Sequence, residues 1–554
     1  MTIAAVGSPL PDWETLSLAQ QVAQLIVVRA SGHLFDQQIL YPDWEPPAAV
    51  LHRWVQELGV GGVILLGGSA AEVALKTQQL QAWADVPLFL CADIEEGVGQ
   101  RFAGATWFPP PLALGAIARH NLPQAVAYAK QMGAMTAQEA LAIGINWVLA
   151  PVVDINNNPD NPVINVRAWG ETPTIVSQLT AAFLQGMQRH PVLNAVKHFP
   201  GHGDTAADSH LELPVIPHDR ARLNQVELVP FVAAIAQGAD AVMSAHLQIP
   251  ALDAEQPATF SHAILTGELR QRLGFEGLIV TDALVMGAIT QRYGANEAPV
   301  LAIEAGADVL MMPIDPEGAI QAICAAVENG RIPIETIQAS LERIWQAKRR
   351  VSALSVQTSP HVWEQLSPPP VDLTPLAQPA TIATAAAILR DSLRVHHPQP
   401  NRLTQPQQNR CNLLLVDDLL NSPFLSRQAP AITIPRERGY SLQLVDRHTP
   451  NALSATPIPT LLQLFVRSTP FRGTAGLTPL AWDRLNALIE SGQLEAVMLY
   501  GSPYALEALL PHLPAYVSYV FTYGQMPAAQ AIALEALFGQ AGLERAVGDR
   551  VFTD

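Results

Sequence analysis

The chain is short of charge, short of cysteine and without long apolar runs, and each shortage closes off a class of protein. Only 15% of its 554 residues are charged, and 49 acidic against 32 basic side chains leave a formal charge of −17. No Lys/Arg cluster is present that could neutralise a phosphate backbone, which argues against nucleic acid as a partner. Three cysteines, Cys91, Cys324 and Cys411, are too few and too scattered for a disulfide framework or a metal knuckle. Each reads as a buried apolar side chain in preference to a reactive thiol. No stretch of 18 or more apolar residues occurs, so no membrane partner is expected. The opening MTIAAVGSPLPDWETLSLAQQ has no basic segment followed by an apolar one, and a cytoplasmic protein is the expectation. Internal repeats and low-complexity segments are also missing.

What the sequence does have is a 49% hydrophobic composition and a length that suits two or three well-packed domains. From residue 20 to about 315, short apolar runs alternate with Ala/Leu/Gln-rich segments of helical period. The runs are QLIVVRA, GGVILLG, PLFLCAD, NWVLAPVVD, NAVKHFPG, DAVMSAH, GLIVTDA and ADVLMMP. Eight such strands predict a closed (β/α)8 TIM barrel. An open doubly wound sheet is the competitor, but it usually has fewer strands and a glycine-rich phosphate turn after the first, where this chain has ASGHLF. Asp93, Asp154, Lys197, His198, His246 and Asp282 all fall where predicted strands end, the rim at which barrels hold reactive groups.

The barrel is assigned to residues 1–355. SPHVWEQLSPPPVDLTPLAQP follows, and its prolines mark a linker over 356–384. Five further apolar runs between 412 and 524 predict a smaller C-terminal α/β domain with an open sheet over 385–554. Tyr500 and Asp417 at its strand ends read as ordinary structure.

The densest chemistry lies in KHFPGHGDTAADSH, which carries Lys197, His198, His202, Asp204, Asp208 and His210 on one glycine-containing loop. Asp208 and His210 are one residue apart, so the carboxylate can orient the ring while its other nitrogen moves a proton near neutrality. A metal ligand or a structural histidine is the alternative. In IVTDALVMGA an apolar strand ends in Asp282, which is either a rigidly held nucleophile or the N-cap of the next helix. Asp93 and Arg101 in ADIEEGVGQR could contact sugar hydroxyls and oxygens, and Arg167 in NPVINVRAWGETP lies on an irregular stretch where a plain surface arginine is the rival reading.

Together these segments resemble glycoside hydrolase family 3, in its β-N-acetylglucosaminidase (β-N-acetylhexosaminidase) branch. KHFPGHGDTAADSHLELP reproduces the branch's KHFPGHGDTxxDSHxxLP, NPVINVRAWGETP is similar to its NPVI-x-x-R-S-F-G segment, and IVTDALVMGAI to its nucleophile strand. One departure stands out: the usual DQEGGRVQR is here DIEEGVGQR, which loses a glycine and an internal arginine while keeping Asp93, Glu95 and Arg101. The resemblance implies Asp282 as nucleophile, His210 paired with Asp208 as acid/base, and Asp93, Arg101, Arg167, Lys197 and His198 as the residues gripping the terminal sugar. It also implies a retaining exo-β-N-acetylglucosaminidase that acts on small carbohydrates or muropeptides from peptidoglycan, without cofactor or metal, and a sandwich-like C-terminal domain without a catalytic part; a monomer and a homodimer both stay open. Three alternatives stay open. One is a family 3 phosphorylase or β-glucosidase; another is a metal-dependent barrel hydrolase using His198, His202, Asp204 and His210; the third is a non-catalytic sugar-binding module.

Overall fold

The structure is a computed structural model that describes residues 10–352, 371–398, 409–420, 422–449, 458–467 and 474–539. All eight apolar runs of the first part form strands: β1 (Ile26–Ser31), β2 (Gly62–Leu66), β3 (Phe89–Ala92), β4 (Trp147–Val148), β5 (Leu193–Phe199), β6 (Ala241–Ser244), β7 (Leu278–Val280) and β8 (Leu310–Met311). They pair in parallel in the order β7-β6-β5-β4-β3-β2-β1-β8, and a parallel bridge from Val280 to Val309 closes the ring. The runs are continuously apolar because both faces of each strand are covered; every residue of β3 and of β5 is buried.

Helices return the chain between strands, and their ends are written locally. Ser69 and Glu72 form a capping box that starts the helix Ala70–Trp83, and Thr172 with Pro173 at the first turn starts Pro173–Met187. The helix Leu112–Ala142 breaks at Asn121, two residues before Pro123, whose nitrogen has no hydrogen to donate. Its later half lies backbone to backbone against Pro173–Met187. A Cβ on Gly133 would stand 2.1 Å from the Phe183 carbonyl oxygen and one on Gly186 2.1 Å from that of Lys130, so this approach requires glycine at both positions.

The second unit is a six-stranded sheet of β9 (Arg394–His396), β10 (Arg410–Leu415), β11 (Tyr440–Val445), β12 (Thr460–Val466), β13 (Leu494–Gly501) and β14 (Ser518–Thr522). Its order is β11-β10-β12-β13-β14-β9, parallel except for β9, which adds an antiparallel edge that the apolar pattern did not reveal. Leu413 and Leu415 enter one apolar cluster and Leu414 and Val416 another, so helices cover both faces. Much of the stretch read as linker falls outside the described residues, but its last part belongs to the helix Pro379–Asp391. Leu389 of that helix joins Met526, Ala529 and Ile532 in a small cluster against which the barrel's Trp107 packs. Tyr128 Oη donates to Asp391 at 2.8 Å across the same junction.

Cys91 and Cys411 are buried and Cys324 is half-buried, and burial pushes all three thiols up, away from reactivity. Among the described residues, no helix is long and apolar enough to cross a membrane.

At the N-terminal end of the barrel Lys348 is 1% exposed, donates to Gln24 Oε1 at 2.7 Å and sits 5.2 Å from the Phe89 ring centre. Burial brings its ammonium down to about 7. Below that value the folded state carries a desolvated charge; between about 7 and the ordinary lysine value of 10.5 the unfolded chain holds the extra proton, so stability rises with pH. Lys348→Met is therefore expected to raise the melting temperature most at pH 6 to 7, with the gain shrinking toward pH 10. Thermal melts of both proteins across that range check the sign.

Candidate active site

The site is assembled at the C-terminal end of the barrel from the residues that follow β3, β4, β5, β6 and β7. Lys197 and His198 are the last polar residues of β5, and the ladder to β6 shifts between Lys197 and Phe199. Lys197 is 2% exposed, and its Nζ lies 2.7 Å from Asp93 Oδ1 and 2.8 Å from Glu95 Oε1. Arg167 grips Glu95 with both ends of its fork, Nε to Oε2 and Nη2 to Oε1, each at 2.8 Å. Burial alone would push Glu95 up, but Arg167 and Lys197 hold its carboxyl well below the usual range. The rival reading of Arg167 as a surface arginine is thereby overturned: a third contact, Nη1 to the Val163 carbonyl at 3.2 Å, fixes it in the pocket wall. Arg101 turns back through Nε to the Asp93 carbonyl at 3.0 Å. Asp93 keeps 32% of its side chain exposed at the mouth.

Asp154, after β4, organises the start of the long loop. Its Oδ2 accepts from His198 Nδ1 at 2.7 Å and its Oδ1 from the His202 backbone N–H at 2.7 Å. His198 Nε2 in turn faces Arg167 Nη2 at 3.4 Å. Burial brings His202 down to about 4, so it is neutral, and its nitrogens meet Thr205 Oγ1 at 3.0 Å and Ser209 Oγ at 2.9 Å. Asn161 bonds the His202 and Gly203 carbonyls at 2.9 Å each. Asp154, Asn161, His202, Thr205 and Ser209 thus pin the loop that carries Asp208 and His210.

There Asp208 Oδ1 accepts from both Nδ1 and the backbone N–H of His210, each at 2.9 Å. The carboxylate is 1% exposed and the imidazole 20%, so the ring is oriented from the inside and open to the mouth. Asp282 follows β7. Burial raises its carboxyl, but the imidazoles of His198, His246 and His210 and the Ala283 N–H at 2.8 Å outweigh burial and hold it at about 2. His246, fully buried, is oriented by Thr259 Oγ1 at 2.8 Å and the Ala283 carbonyl at 3.1 Å. No helix starts directly at Asp282; the next begins at Gly287, which removes the N-cap alternative.

The quartet His198, His202, Asp204 and His210 does not converge on a common point: each has its own partner, that of Asp204 being His218 at 2.7 Å. Asp204, His218 and Glu227 do bring ligand atoms within 4.8 Å of one another, but Arg222 already lies against both carboxylates. The sequence assigns no role to Glu95 or Asn161, marks Asp154 only as a strand-end residue and offers His202 only as a possible metal ligand. The retained Glu95 in DIEEGVGQR and the strand-end position of Asp154 were the available signals.

Residues 17–347 match the family model described as Glycosyl hydrolase family 3 N terminal domain, and residues 403–539 that of the Bacterial Glycosyl hydrolase family 3 C-terminal domain. A Beta-hexosaminidase A of Pseudoalteromonas piscicida is 35% identical over 333 residues, 54% of this chain and 55% of that protein. The match thus spans about half the length of that relative. A Beta-hexosaminidase of Stenotrophomonas maltophilia (strain R551-3) is 36% identical over 47% of this chain and 78% of its own. The solved structure of a glycoside hydrolase family 3 beta-N-acetylglucosaminidase from Paenibacillus sp. str. FPU-7 superposes with a TM-score of 0.77 at 29% identity, covering 95% of this chain and 97% of that one. A beta-glucoside phosphorylase shares the fold, with a TM-score of 0.78 at 22% identity over 95% and 93%.

Removing the Glu95 charge leaves Lys197 and Arg167 short of a buried counter-ion, and Glu95→Gln is expected to cost about 3–5 kcal/mol in urea unfolding. Because Glu95 is depressed in the folded state, the difference from wild type is full above about pH 5 and shrinks as the pH falls toward the folded value. A difference that instead grew on acidification would contradict the assignment.

Proposed function

Because this chain belongs to glycosyl hydrolase family 3, we propose that it is a retaining exo-β-N-acetylglucosaminidase working through a covalent glycosyl-enzyme. The observation that carries the reading is Asp282: a half-buried carboxylate whose pKa is held at about 2 by the imidazoles around it, one of which is His210 with Asp208 behind it. In this reading Asp282 attacks C1 of the terminal sugar as the C1–oxygen bond breaks. His210 delivers its proton to the departing oxygen from Nε2, the nitrogen that Asp208 does not hold. Water then attacks C1, His210 takes its proton, Asp282 leaves as a carboxylate, and the β configuration is retained. Asp93, Lys197, Arg167, His198 and Arg101 grip the non-reducing sugar. The names of the relatives support N-acetylglucosamine as that sugar, and muropeptides of peptidoglycan, met in the cytoplasm, are the proposed natural source.

Chromophore release from β-linked N-acetylglucosaminide and β-glucoside, with and without phosphate, tests the reading. Preference for the N-acetyl sugar and indifference to phosphate are expected. Acceleration by phosphate with sugar 1-phosphate as product would make the chain a phosphorylase, and preference for glucoside would move it to another substrate class. Asp282→Ala is expected to lower kcat by roughly 10³-fold or more, equivalent to about 4 kcal/mol. Asp208→Asn, which leaves the imidazole in place without its orienting charge, is expected to lower kcat by about 10- to 100-fold at nearly constant KM. Equal loss for a good and a poor leaving group in Asp208→Asn would contradict acid catalysis by the pair.

A further inference from the structure

The rim loop after β3 carries the chain's one marked departure in sequence, and the departure has a partner 371 residues away. Glu96, where the family's run has glycine, is fully buried. Its Oε2 accepts from Trp107 Nε1 at 2.9 Å and from Arg467 Nη1 at 3.0 Å, and its Oε1 from Arg467 Nη2. Arg467 follows β12 and is itself only 13% exposed. The family's internal arginine is replaced in the loop by the buried Val98, and a guanidinium arrives from the second domain.

We propose that Arg467 is a positioning residue for the barrel's sugar pocket, acting through Glu96 to fix the Asp93–Glu95 segment that holds the pocket's carboxylates. The neighbours Glu95 and Glu96 point to different places: Glu95 to Arg167 and Lys197 in the pocket, Glu96 to the second domain. The backbone between them has little freedom. Gln100 Oε1 accepts from the N–H groups of Glu95 and Glu96 at 2.8 and 3.0 Å, and the Glu96 carbonyl accepts from Phe108 N–H at 2.8 Å. Gly97 turns the chain at φ +82° where a Cβ would stand 2.7 Å from the Thr106 carbonyl oxygen. Trp107, which shares the carboxylate with Arg467, packs on Leu389, Met526, Ala529 and Ile532. A shift of the second domain at this junction is thereby transmitted to Asp93 and Glu95. The effect on catalysis rests on the reading of Asp93, Lys197 and Arg167 as sugar-gripping residues.

The test compares wild type, Arg467→Met, Glu96→Gln, the double variant and Arg467→Lys, on whichever glycoside wild type cleaves fastest. Arg467→Met and Glu96→Gln are each expected to raise KM about tenfold with kcat within about threefold, and the double variant to be no worse than the poorer single. Arg467→Lys, which keeps the charge without the fork, falls between wild type and Arg467→Met. Hydrogen exchange supplies a readout independent of turnover: amides of residues 93–101 exchange faster in Arg467→Met while those of β6 do not. A lowered melting temperature with unchanged KM and unchanged exchange over 93–101 would reduce the pair to a structural contact and overturn the proposal. Additive single effects would also overturn it, since Arg467 would then act by another route. A wild type that prefers glucoside refutes the substrate assignment and leaves this test intact. If no glycoside is cleaved, the exchange result decides alone.

Discussion

The pocket depends on one buried carboxylate. Glu95 is the point at which the loops after β3 and β4 and the end of β5 meet, because Arg167 and Lys197 both need it as counter-ion. Taking three charges out of water is expensive, and such a cluster persists only when the geometry is good and the remaining hydrogen-bond capacity is met. Both conditions hold: the Arg167 fork is bidentate and also reaches the Val163 carbonyl, and Lys197 has Asp93 as a second partner. The same ionic cluster that costs solvation energy fixes Asp93 at the mouth, where a carboxylate can accept bonds from sugar hydroxyls. In the proposed function, stability and sugar recognition therefore rest on the same atoms.

Three histidines of β5 and the chain that follows it, His198, His210 and His218, are each paired with an aspartate, and their surroundings differ. His198 with Asp154 is nearly buried and joined to Arg167, so it is part of the wall. His218 with Asp204 is the most exposed of the three and bound up with Arg222. Only His210 combines a buried carboxylate behind the ring with an imidazole open to the mouth and an electrostatic effect on Asp282. A metal-dependent reading treats the histidines as equivalent ligands; the structure instead gives each one its own partners.

The barrel was legible because parallel strands covered on both faces must be apolar throughout, and strand-end polar residues then mark the rim. Asp282, Lys197 and the loop to His210 were found on that rule. Tertiary pairings were not legible: Glu95 and Arg167 are 72 positions apart and Glu96 and Arg467 are 371, distances at which no periodicity connects them. The strand β9 escaped because it has three residues and none of them is buried. Pro379 illustrates an ambiguity of proline itself, since the residue that reads as linker also suits the first turn of a helix, where its missing N–H is not needed.

In the proposed mechanism, a histidine acid suits the surroundings of Asp282. A second carboxylate close to Asp282 would push it upward, whereas that mechanism needs Asp282 ionised. Imidazoles act in the opposite direction, and three of them together with the Ala283 N–H outweigh the effect of burial on Asp282. The arrangement demands a proton carrier on a loop held as firmly as a strand. Neutral His202, hydrogen-bonded to Thr205 and Ser209, and Asn161, bonded to the carbonyls of 202 and 203, supply that rigidity without adding charge. The polar density of the loop is thus divided between residues that could move protons and residues whose neutrality keeps the electrostatics of Asp282 undisturbed.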